Sequence, residues 1–196
     1  MIFSDLLLNW YEINKRDLPW RHTKNAYFIW LAEIILQQTK VQQGLPYYLK
    51  FLKAFPTVKH LALAKQEKVL KLWQGLGYYS RARNLHLSAK YILENYNGIF
   101  PNQYDEILKL KGVGNYTAAA IASFAFGLPY AVVDGNVVRV LSRVFGIDAS
   151  FDTAYGKKIF QQLSQDLLDK KNPANYNQAI MEFGALHCSY RLPKCN

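Results

Sequence analysis

The sequence contains only two cysteines, Cys188 and Cys195, and both lie within nine residues of its end. Two cysteines cannot build the disulfide framework of a small secreted domain. The chain also lacks an uncharged apolar run of about eighteen residues, so no segment is predicted to span a membrane. Its N-terminus has neither the basic start nor the cleavage site of a signal peptide. We therefore expect a cytoplasmic protein without a membrane partner.

Acidic residues are scarce relative to basic ones. The 196 residues include 14 acids and 24 lysines and arginines, which gives a net charge of +10 and a pI near 9.5. This balance favours a polyanionic partner, and nucleic acid fits better than a membrane surface. Simple basic solubility is the alternative. With 51% apolar and 15% aromatic residues, the chain is predicted to fold compactly, as one core or two small lobes.

Strand signals are weak, and the hydrophobic spacing is helical throughout. The longest β-like run, Ala131–Val133, is short and precedes a helix start. Ser4 is a candidate N-cap for a first helix that ends near Asn14, with Leu6 and Leu7 facing inward. The spacing predicts an all-α fold of about ten short helices. The further helices are predicted near 25–39, 42–54, 58–64, 66–74, 80–96, 103–110, 115–126, 135–145, 153–169 and 174–187.

A pair of glycines, Gly112 and Gly114, lies between two of these helices, with Val113 between them. Such a turn directs backbone N–H groups outward at a helix start, where they can meet a phosphate. Lys109 and Lys111 add positive charge. An ordinary glycine-rich helix–helix turn is the alternative.

Glu33 lies in a strongly apolar helix, with Ile29, Trp30 and Leu36 three or four positions away. A desolvated carboxyl has a raised pKa and can serve as a general acid near neutral pH. The alternative is a buried glutamate that binds an arginine or a backbone amide.

Asp134 precedes the helix that begins near residue 135 and is a natural N-cap. Held by backbone amides, its carboxylate would also remain ionised. One raised acid and one ionised carboxylate form the pair that breaks glycosidic bonds. The sequence does not place Glu33 and Asp134 together.

Two further segments have the composition of duplex-inserting elements. Gln37 and Gln38 follow Glu33 by one helical turn and could fill the gap left by an extruded base. The segment 75–83 combines glycines, two tyrosines and two arginines, and Tyr78 could act as a wedge. The alternatives are a polar helix end and a packed aromatic turn.

Taken together, these motifs resemble those of helix-hairpin-helix DNA glycosylases, which include endonuclease III, and specifically the adenine DNA glycosylases of the MutY type. The resemblance covers essentially the whole chain. It runs through Leu18–Arg21, Glu33–Thr39, Gly75–Arg83, Gly112–Gly114, Val133–Asn136, Asn177–Gln178 and Gly184–Cys188.

The resemblance implies a role for each of these residues. Glu33 would protonate N7 of an extruded adenine and help to position the water, and Asp134 would stabilise the oxocarbenium charge. Gln38 would intercalate beside Gln37, and Tyr78 would wedge the duplex. Gly112, Val113 and Gly114 would bind the backbone phosphate. The adenine pocket would be formed by Trp20, Arg21 and Gln178, and the reacting centre would be supported by Tyr116 and Asn136.

Tyr116 stands where the endonuclease III type has a lysine that forms a Schiff base. The resemblance therefore implies a monofunctional hydrolase that excises adenine mispaired with 8-oxoguanine or guanine, without cutting the strand. The partner would be mismatched double-stranded DNA, bound by a monomer associated with the nucleoid. Two alternatives stay open, another mismatch-specific glycosylase of the superfamily and a non-catalytic module that binds damaged DNA.

The same resemblance implies two helical lobes with the active site in the cleft between them. One lobe would be a six-helix barrel over 22–132, with the helix-hairpin-helix near 105–126. The other would combine 1–21 with 133–196. Family members hold a [4Fe-4S] cluster with four cysteines, of which Cys188 and Cys195, in the loop 188–196, match the first two. We therefore expect an incomplete or absent cluster, and a fragment of a longer protein rather than a cluster-free one.

Overall fold

The computed structural model describes residues Ile2–Lys194, with the side chain of Ile2 left out. Within that range the chain forms eleven α-helices and one short 3-10 turn, and no strand. The α-helices are α1 (Ile2–Asn14), α2 (Ala26–Leu36), α3 (Val41–Ala54), α4 (Val58–Leu63), α5 (Gln66–Trp73), α6 (Ser80–Tyr96), α7 (Tyr104–Leu108), α8 (Asn115–Phe126), α9 (Gly135–Phe145), α10 (Ala154–Leu167) and α11 (Pro173–Leu186). The 3-10 turn, Pro19–Arg21, precedes α2.

The all-helical prediction is confirmed, and two details at the start of the chain are wrong. Ser4 lies inside α1 rather than at its cap, because the helix begins at Ile2. Leu6 is 64% exposed, whereas Leu7 and Tyr11 are buried. Leu7 and Tyr11 are four residues apart and share one helix face, and Leu6 is rotated away from that face by about 100°.

One compact unit consists of the residues up to Leu18 together with those from Ala122 onward. In it, α11 packs against both α1 and α9. The carboxylate of Glu182 on α11 is 1% exposed and accepts two bonds from the Arg16 guanidinium, at 2.8 and 2.6 Å. It also accepts the Arg16 backbone N–H at 2.9 Å. This buried pair anchors the segment after α1 to α11.

The other compact unit is Pro19–Ile121. Its central helix is α2, in which Trp30, Leu31 and Ala32 have no exposed surface. The Asn25 side chain caps α2 by accepting from the amides of Tyr27 and Phe28. The helix packs against α3 and α6, and α4 packs against α6 in turn. Because α2 is buried on nearly every face, it is a rigid support for the polar residues that it carries.

The lobe limits predicted from the sequence, 22–132 on the one hand and 1–21 with 133–196 on the other, stay a prediction. Among the described residues, no helix combines the length and the apolarity that a membrane span requires.

Candidate active site and nucleic-acid interface

Glu33 lies in the middle of α2 and is 8% exposed. Its helical neighbours Ile29 and Trp30 are 2% and 0% exposed. Glu33 is therefore buried between apolar helical neighbours, as its spacing predicted.

Asp134 is the N-cap of α9, the role that its position in the sequence favours. One carboxylate oxygen, Oδ1, accepts the backbone N–H groups of Asn136 at 2.9 Å and Val137 at 2.8 Å. The other, Oδ2, accepts Nδ2–H of the Asn136 side chain at 2.8 Å. These bonds hold the half-buried carboxylate in one orientation at the start of α9.

Asn136 is itself held by Arg139, one turn further along α9. The Arg139 guanidinium donates to Asn136 Oδ1 at 2.8 Å, and also to the carbonyl oxygens of Gly184 at 2.5 Å and Cys188 at 2.7 Å. A Cβ on Gly184 would lie 2.7 Å from the Asn136 Cβ, so only glycine lets α11 approach α9 this closely. Hydrogen bonds thus lead from the end of α11 to the Asp134 carboxylate.

Two amide side chains, neither of them among the predicted site residues, hydrogen-bond to the segment that leads to Asp134. Asn177 is 1% exposed; it accepts the Val132 N–H at 3.1 Å and donates to the Tyr130 carbonyl at 2.8 Å. Gln165 accepts the Ala131 N–H at 3.0 Å and donates to the Pro129 carbonyl at 2.8 Å. Asn177 belongs to the Asn177–Gln178 motif of the sequence, whereas no motif contains Gln165, which is half-buried.

The glycine turn between α7 and α8 is exposed at Gly112 and Gly114 and buried at Val113. Gly112 has φ +78°, and a Cβ there would lie 3.0 Å from Asn84, whereas Gly114 has open space around it. Ser88 holds the turn from α6 by donating to the Lys111 carbonyl at 3.1 Å. The turn ends at the first residue of α8, where helix amides have no intrahelical partner.

Gln37 and Gln38 follow the last residue of α2. The Gln37 side-chain amide donates to the Gly112 carbonyl at 3.2 Å and to Thr117 Oγ1 at 3.4 Å, so it connects the end of α2 with the glycine turn. Gln38 is exposed and has φ +53°. Tyr78 is 65% exposed and has φ +46°. Left-handed backbone at a non-glycine residue is strained, and such strain concentrates at functional sites.

The predicted pocket residues Trp20, Arg21 and Gln178 occupy two elements, and Tyr116, which is predicted to support the reacting centre, lies in a third. Trp20, in the 3-10 turn, is 7% exposed and packs edge to face on Tyr48, with ring centroids 5.2 Å apart. Burial raises the pKa of Tyr48 to about 12. Arg21 ends the same turn, and Tyr116 is the second residue of α8. Gln178 lies on α11. Arg21, Tyr116 and Gln178 are half-buried.

The predicted residues divide between the two units. The unit Pro19–Ile121 contains Trp20, Arg21, Glu33, Gln37, Gln38, Tyr78, Gly112, Val113, Gly114 and Tyr116, and the other unit contains Asp134, Asn136, Gln178 and Cys188.

The described residues do not complete a cluster site. Cys188 is buried, and its Sγ accepts from the Arg143 guanidinium at 3.3 Å. Cys195 lies outside the described residues. From Ile2 to Lys194, no three histidine, cysteine or acidic side chains group as metal ligands. The sequence has two cysteines, whereas the expected cluster needs four.

Comparison with known proteins gives matches over this whole architecture. The profile of the family described as HhH-GPD superfamily base excision DNA repair protein matches residues 31–167. The adenine DNA glycosylase of Buchnera aphidicola subsp. Baizongia pistaciae is 43% identical over 197 residues, which cover 100% of this chain and 56% of the relative. The chain spans about half the length of the curated relatives that it matches.

Two solved structures share the fold. A thermostable thymine-DNA glycosylase superposes with a TM-score of 0.91 at 31% identity, covering 99% of this chain and 89% of that one. Endonuclease III in a non-covalent DNA complex has a TM-score of 0.83 at 22% identity, covering 99% and 88%.

Proposed function

The chain belongs to the HhH-GPD superfamily of base excision DNA repair proteins, and we propose that it is a monofunctional adenine DNA glycosylase. Its substrate would be double-stranded DNA in which adenine is mispaired with 8-oxoguanine or guanine. The curated relatives at 40–43% identity that carry the name adenine DNA glycosylase support this assignment.

The observation that carries the proposal is the buried carboxyl of Glu33, which is 8% exposed in the most apolar helix of its unit. Burial disfavours the ionised form of a carboxyl and so favours the protonated form that a general acid needs.

In the proposed reaction, Glu33 donates its proton to N7 of an extruded adenine. The bond between the base nitrogen and C1′ of the sugar then breaks, and its electron pair leaves with the neutral base. The Asp134 carboxylate, fixed by Asn136 and Val137, stabilises the oxocarbenium charge on the sugar. Water adds at C1′ and gives up a proton to the Glu33 carboxylate, which yields the abasic site and restores the acid. Tyr116 and Asn136 support this centre, and Trp20, Arg21 and Gln178 line the adenine pocket.

The glycine turn would bind a backbone phosphate through its outward amides and the start of α8. Gln38 and Tyr78 would enter the duplex, one to fill the gap left by the base and the other to separate the neighbouring pair. Gln37 donates a hydrogen bond to the Gly112 carbonyl, so it would hold Gln38 in position relative to the glycine turn that is proposed to bind phosphate.

The test is single-turnover excision on duplexes that carry one adenine opposite 8-oxoguanine, guanine or thymine, with products read with and without alkali. We expect strand breaks only after alkali, and loss of excision in Glu33→Gln and Asp134→Asn with duplex binding kept. Glu94→Gln, the same chemical change at an exposed site on α6, is the matched control. Undiminished excision by Glu33→Gln would refute the assignment of the acid.

A second candidate is removal of thymine from a mismatch with guanine, favoured by the likeness to the thymine-DNA glycosylase. A duplex with thymine opposite guanine, added to the same assay, separates the two. Excision of thymine without excision of adenine would replace the first proposal by the second.

Tyr116 lies where strand cleavage through a Schiff base would require a lysine. We therefore expect that borohydride does not trap the protein on its substrate. A lysine-linked complex formed in good yield would contradict the monofunctional assignment.

No step of this proposal uses an iron–sulfur cluster, because two cysteines do not complete its ligand set. Iron and acid-labile sulfide in the purified chain measure whether Cys188 and Cys195 recruit one. We also propose that the protein acts as a monomer, which light scattering on the free and the DNA-bound protein checks.

A further inference from the structure

Arg81, at the start of α6, is 7% exposed and binds two segments that are far apart in the sequence. Its Nη1 group, which carries two N–H bonds, lies within hydrogen-bond distance of the carbonyl oxygens of Ile35 at 2.8 Å and Gln37 at 2.5 Å and of Thr39 Oγ1 at 3.1 Å. Its Nη2 group donates to the carbonyl oxygens of Leu76 at 3.3 Å and Gly77 at 3.4 Å. One planar guanidinium therefore contacts both the end of α2 and the turn before α6.

The bonded carbonyls have a common position in the two segments. The Gln37 carbonyl belongs to the peptide bond that precedes Gln38, and the Gly77 carbonyl to the peptide bond that precedes Tyr78. Gln38 and Tyr78 both have left-handed backbone, with φ of +53° and +46°. Among the described residues, one other non-glycine residue, Asn97, has a positive φ. It ends α6 in the left-handed C-cap conformation that is common at helix ends. Arg81 thus fixes the peptide plane before each of the two strained, exposed residues.

The aromatic surroundings of Arg81 strengthen the connection. Its guanidinium lies 5.1 Å from the Trp73 ring centroid and 5.7 Å from that of Tyr78. Trp73 donates from Nε1 to the Gly77 carbonyl at 2.8 Å, and the Tyr47 hydroxyl donates to the Gln74 carbonyl at 2.8 Å. The turn that contains Tyr78 is therefore held by Arg81, Trp73 and Tyr47 together.

A guanidinium placed here is costly to the fold. Burial of a charge is unfavourable unless many groups solvate it. Among the described residues its partners are carbonyls, a hydroxyl and two rings rather than a carboxylate, and its buried Nε has no hydrogen-bond partner. A simple capping role at α2 would not require the second set of bonds, at Leu76 and Gly77. The arrangement is explained if both segments have to be held in one fixed relation.

We propose that Arg81 is a positioning residue that joins Gln38 and Tyr78 into one preformed unit for insertion into duplex DNA. The inference rests on the proposed function, because that function supplies the duplex. The strained conformations of Gln38 and Tyr78 form when the protein folds. DNA binding therefore does not have to provide the free energy that orders these two residues. Loss of Arg81 should therefore loosen both segments at once and slow the steps in which the duplex is opened.

The test compares Arg81→Lys, which keeps a positive charge but loses the fork, with Arg83→Lys, the same change at an exposed position on α6. Hydrogen exchange of the free protein is followed in peptides that cover 36–40 and 74–79. We expect faster exchange in both segments of Arg81→Lys and in neither segment of Arg83→Lys. Faster exchange in only one segment, or in neither, would overturn the linkage.

A second readout separates opening of the duplex from the chemical step. Single-turnover excision is measured on adenine opposite 8-oxoguanine and on adenine in a bulge, where stacking is already disturbed. Misplacement of this unit should slow excision from the intact duplex by about 10- to 100-fold and from the bulge by much less. Equal losses on both substrates would assign Arg81 a general structural role and overturn the inference.

Two further outcomes distinguish a role of Arg81 in linking the segments from a folding defect and from failure of the proposed function. If Arg81→Lys unfolds, Thr39→Val removes one acceptor, and we expect a smaller rise in exchange that still reaches 74–79; a rise confined to 36–40 contradicts the linkage. If the wild-type chain excises no base, the proposed function fails, and exchange at 36–40 and 74–79 still decides whether Arg81 links the segments.

Discussion

At the scale of single residues, α9 holds its capping aspartate in one orientation, as the proposed reaction requires. Asp134 caps the helix through two backbone amides, which would suffice for stability. The additional bond from Asn136, which is held in turn by Arg139, restricts the second carboxylate oxygen. A cap alone does not need this second restraint, whereas a carboxylate that must face a developing positive charge does.

Arg139→Lys should therefore reduce excision more than it reduces DNA affinity. Lysine keeps the charge but cannot bond Asn136, Gly184 and Cys188 together. We expect a single-turnover rate lower by about 10- to 100-fold. The control is Arg143→Lys on the same helix, since Arg143 bonds to Cys188, Ser189 and Tyr190 but not to Asn136. Equal loss of rate in both variants would show that Arg139 does not affect excision through Asn136.

The pair between Arg16 and Glu182 makes a second prediction at this scale. Arg16→Ala removes the guanidinium that pairs with the Glu182 carboxylate, which is 1% exposed. Removal of one member of a buried pair typically costs about 3–5 kcal/mol, and because the Arg16 side chain is 39% exposed we expect the low end of that range. Urea denaturation measures the loss.

Lys15→Ala is the matched comparison for Arg16→Ala. The neighbouring Lys15 pairs with Glu12 on the surface, at side-chain exposures of 42% and 58%. An exposed pair of this kind contributes about 0–1 kcal/mol. Similar losses in the two variants would mean that burial of Glu182 does not set the strength of its pair.

At the scale of elements, the two glycines of the turn before α8 are predicted to behave differently. Gly112→Ala puts a side chain at φ +78° and a Cβ at 3.0 Å from Asn84, so we expect a loss of about 1–3 kcal/mol in the free energy of unfolding. Gly114→Ala meets no atom within 4 Å and should change stability by less than about 1 kcal/mol.

Duplex affinity separates the functions of the two positions further. At Gly114 the added methyl group points into the open space where the phosphate is proposed to bind, so affinity should fall although the fold is intact. Thermal denaturation and fluorescence anisotropy on both variants measure the two effects. Unchanged affinity in Gly114→Ala would place the phosphate elsewhere.

Packing of α4 against α6 gives a pH-dependent prediction. His86 on α6 is 2% exposed, and burial, with a smaller effect of Lys90, lowers the pKa of its imidazole below the usual 6.5, against the raising effect of the Ala64 and Ala62 backbone. Below about pH 6.5 the unfolded chain takes up a proton that the folded chain resists. The free energy of unfolding should therefore decrease as the pH falls below about 6.5, by at most about 1.4 kcal/mol per pH unit. Above that pH the contribution of His86 is fully present.

Denaturation between pH 5 and 8 checks the contribution of His86. His86→Leu should flatten the decline below pH 6.5, and His60→Gln, at an exposed position on α4, should leave it unchanged. Parallel profiles for the wild type and His86→Leu would contradict the prediction.

Local signals predicted most of the elements, and long-range bonds explain what was missed. The helices α6, α8 and α9 begin and end where periodicity, turn glycines and the Asp134 cap place them. The role of Arg81 escaped prediction because its partners lie up to 47 residues away and are mostly backbone carbonyls, which leave no trace in a side-chain pattern. Burial of Glu33 was predictable because its neighbours one turn away on α2 are apolar, which is the pattern of a helix enclosed by others.

At the scale of the whole molecule, net charge and chain length bear on the proposed binding of DNA. The charge of +10 would supply attraction that does not depend on the base sequence, whereas the glycine turn and the residues proposed to insert would act at defined positions. Because the chain spans about half the length of its curated relatives, its discrimination between opposite bases is a property to be measured on this chain itself.

The salt dependence of binding separates these two contributions. If about six phosphates are neutralised by lysine and arginine, affinity for an undamaged duplex should fall about a thousandfold between 50 and 200 mM salt. Binding at fixed positions depends less on counterions, so the ratio of affinities for mismatched and undamaged duplexes should change far less over that range. Anisotropy titrations on both duplexes at four salt concentrations give both quantities. Affinity that does not vary with salt would mean that the basic surface serves solubility alone, the alternative that its composition leaves open.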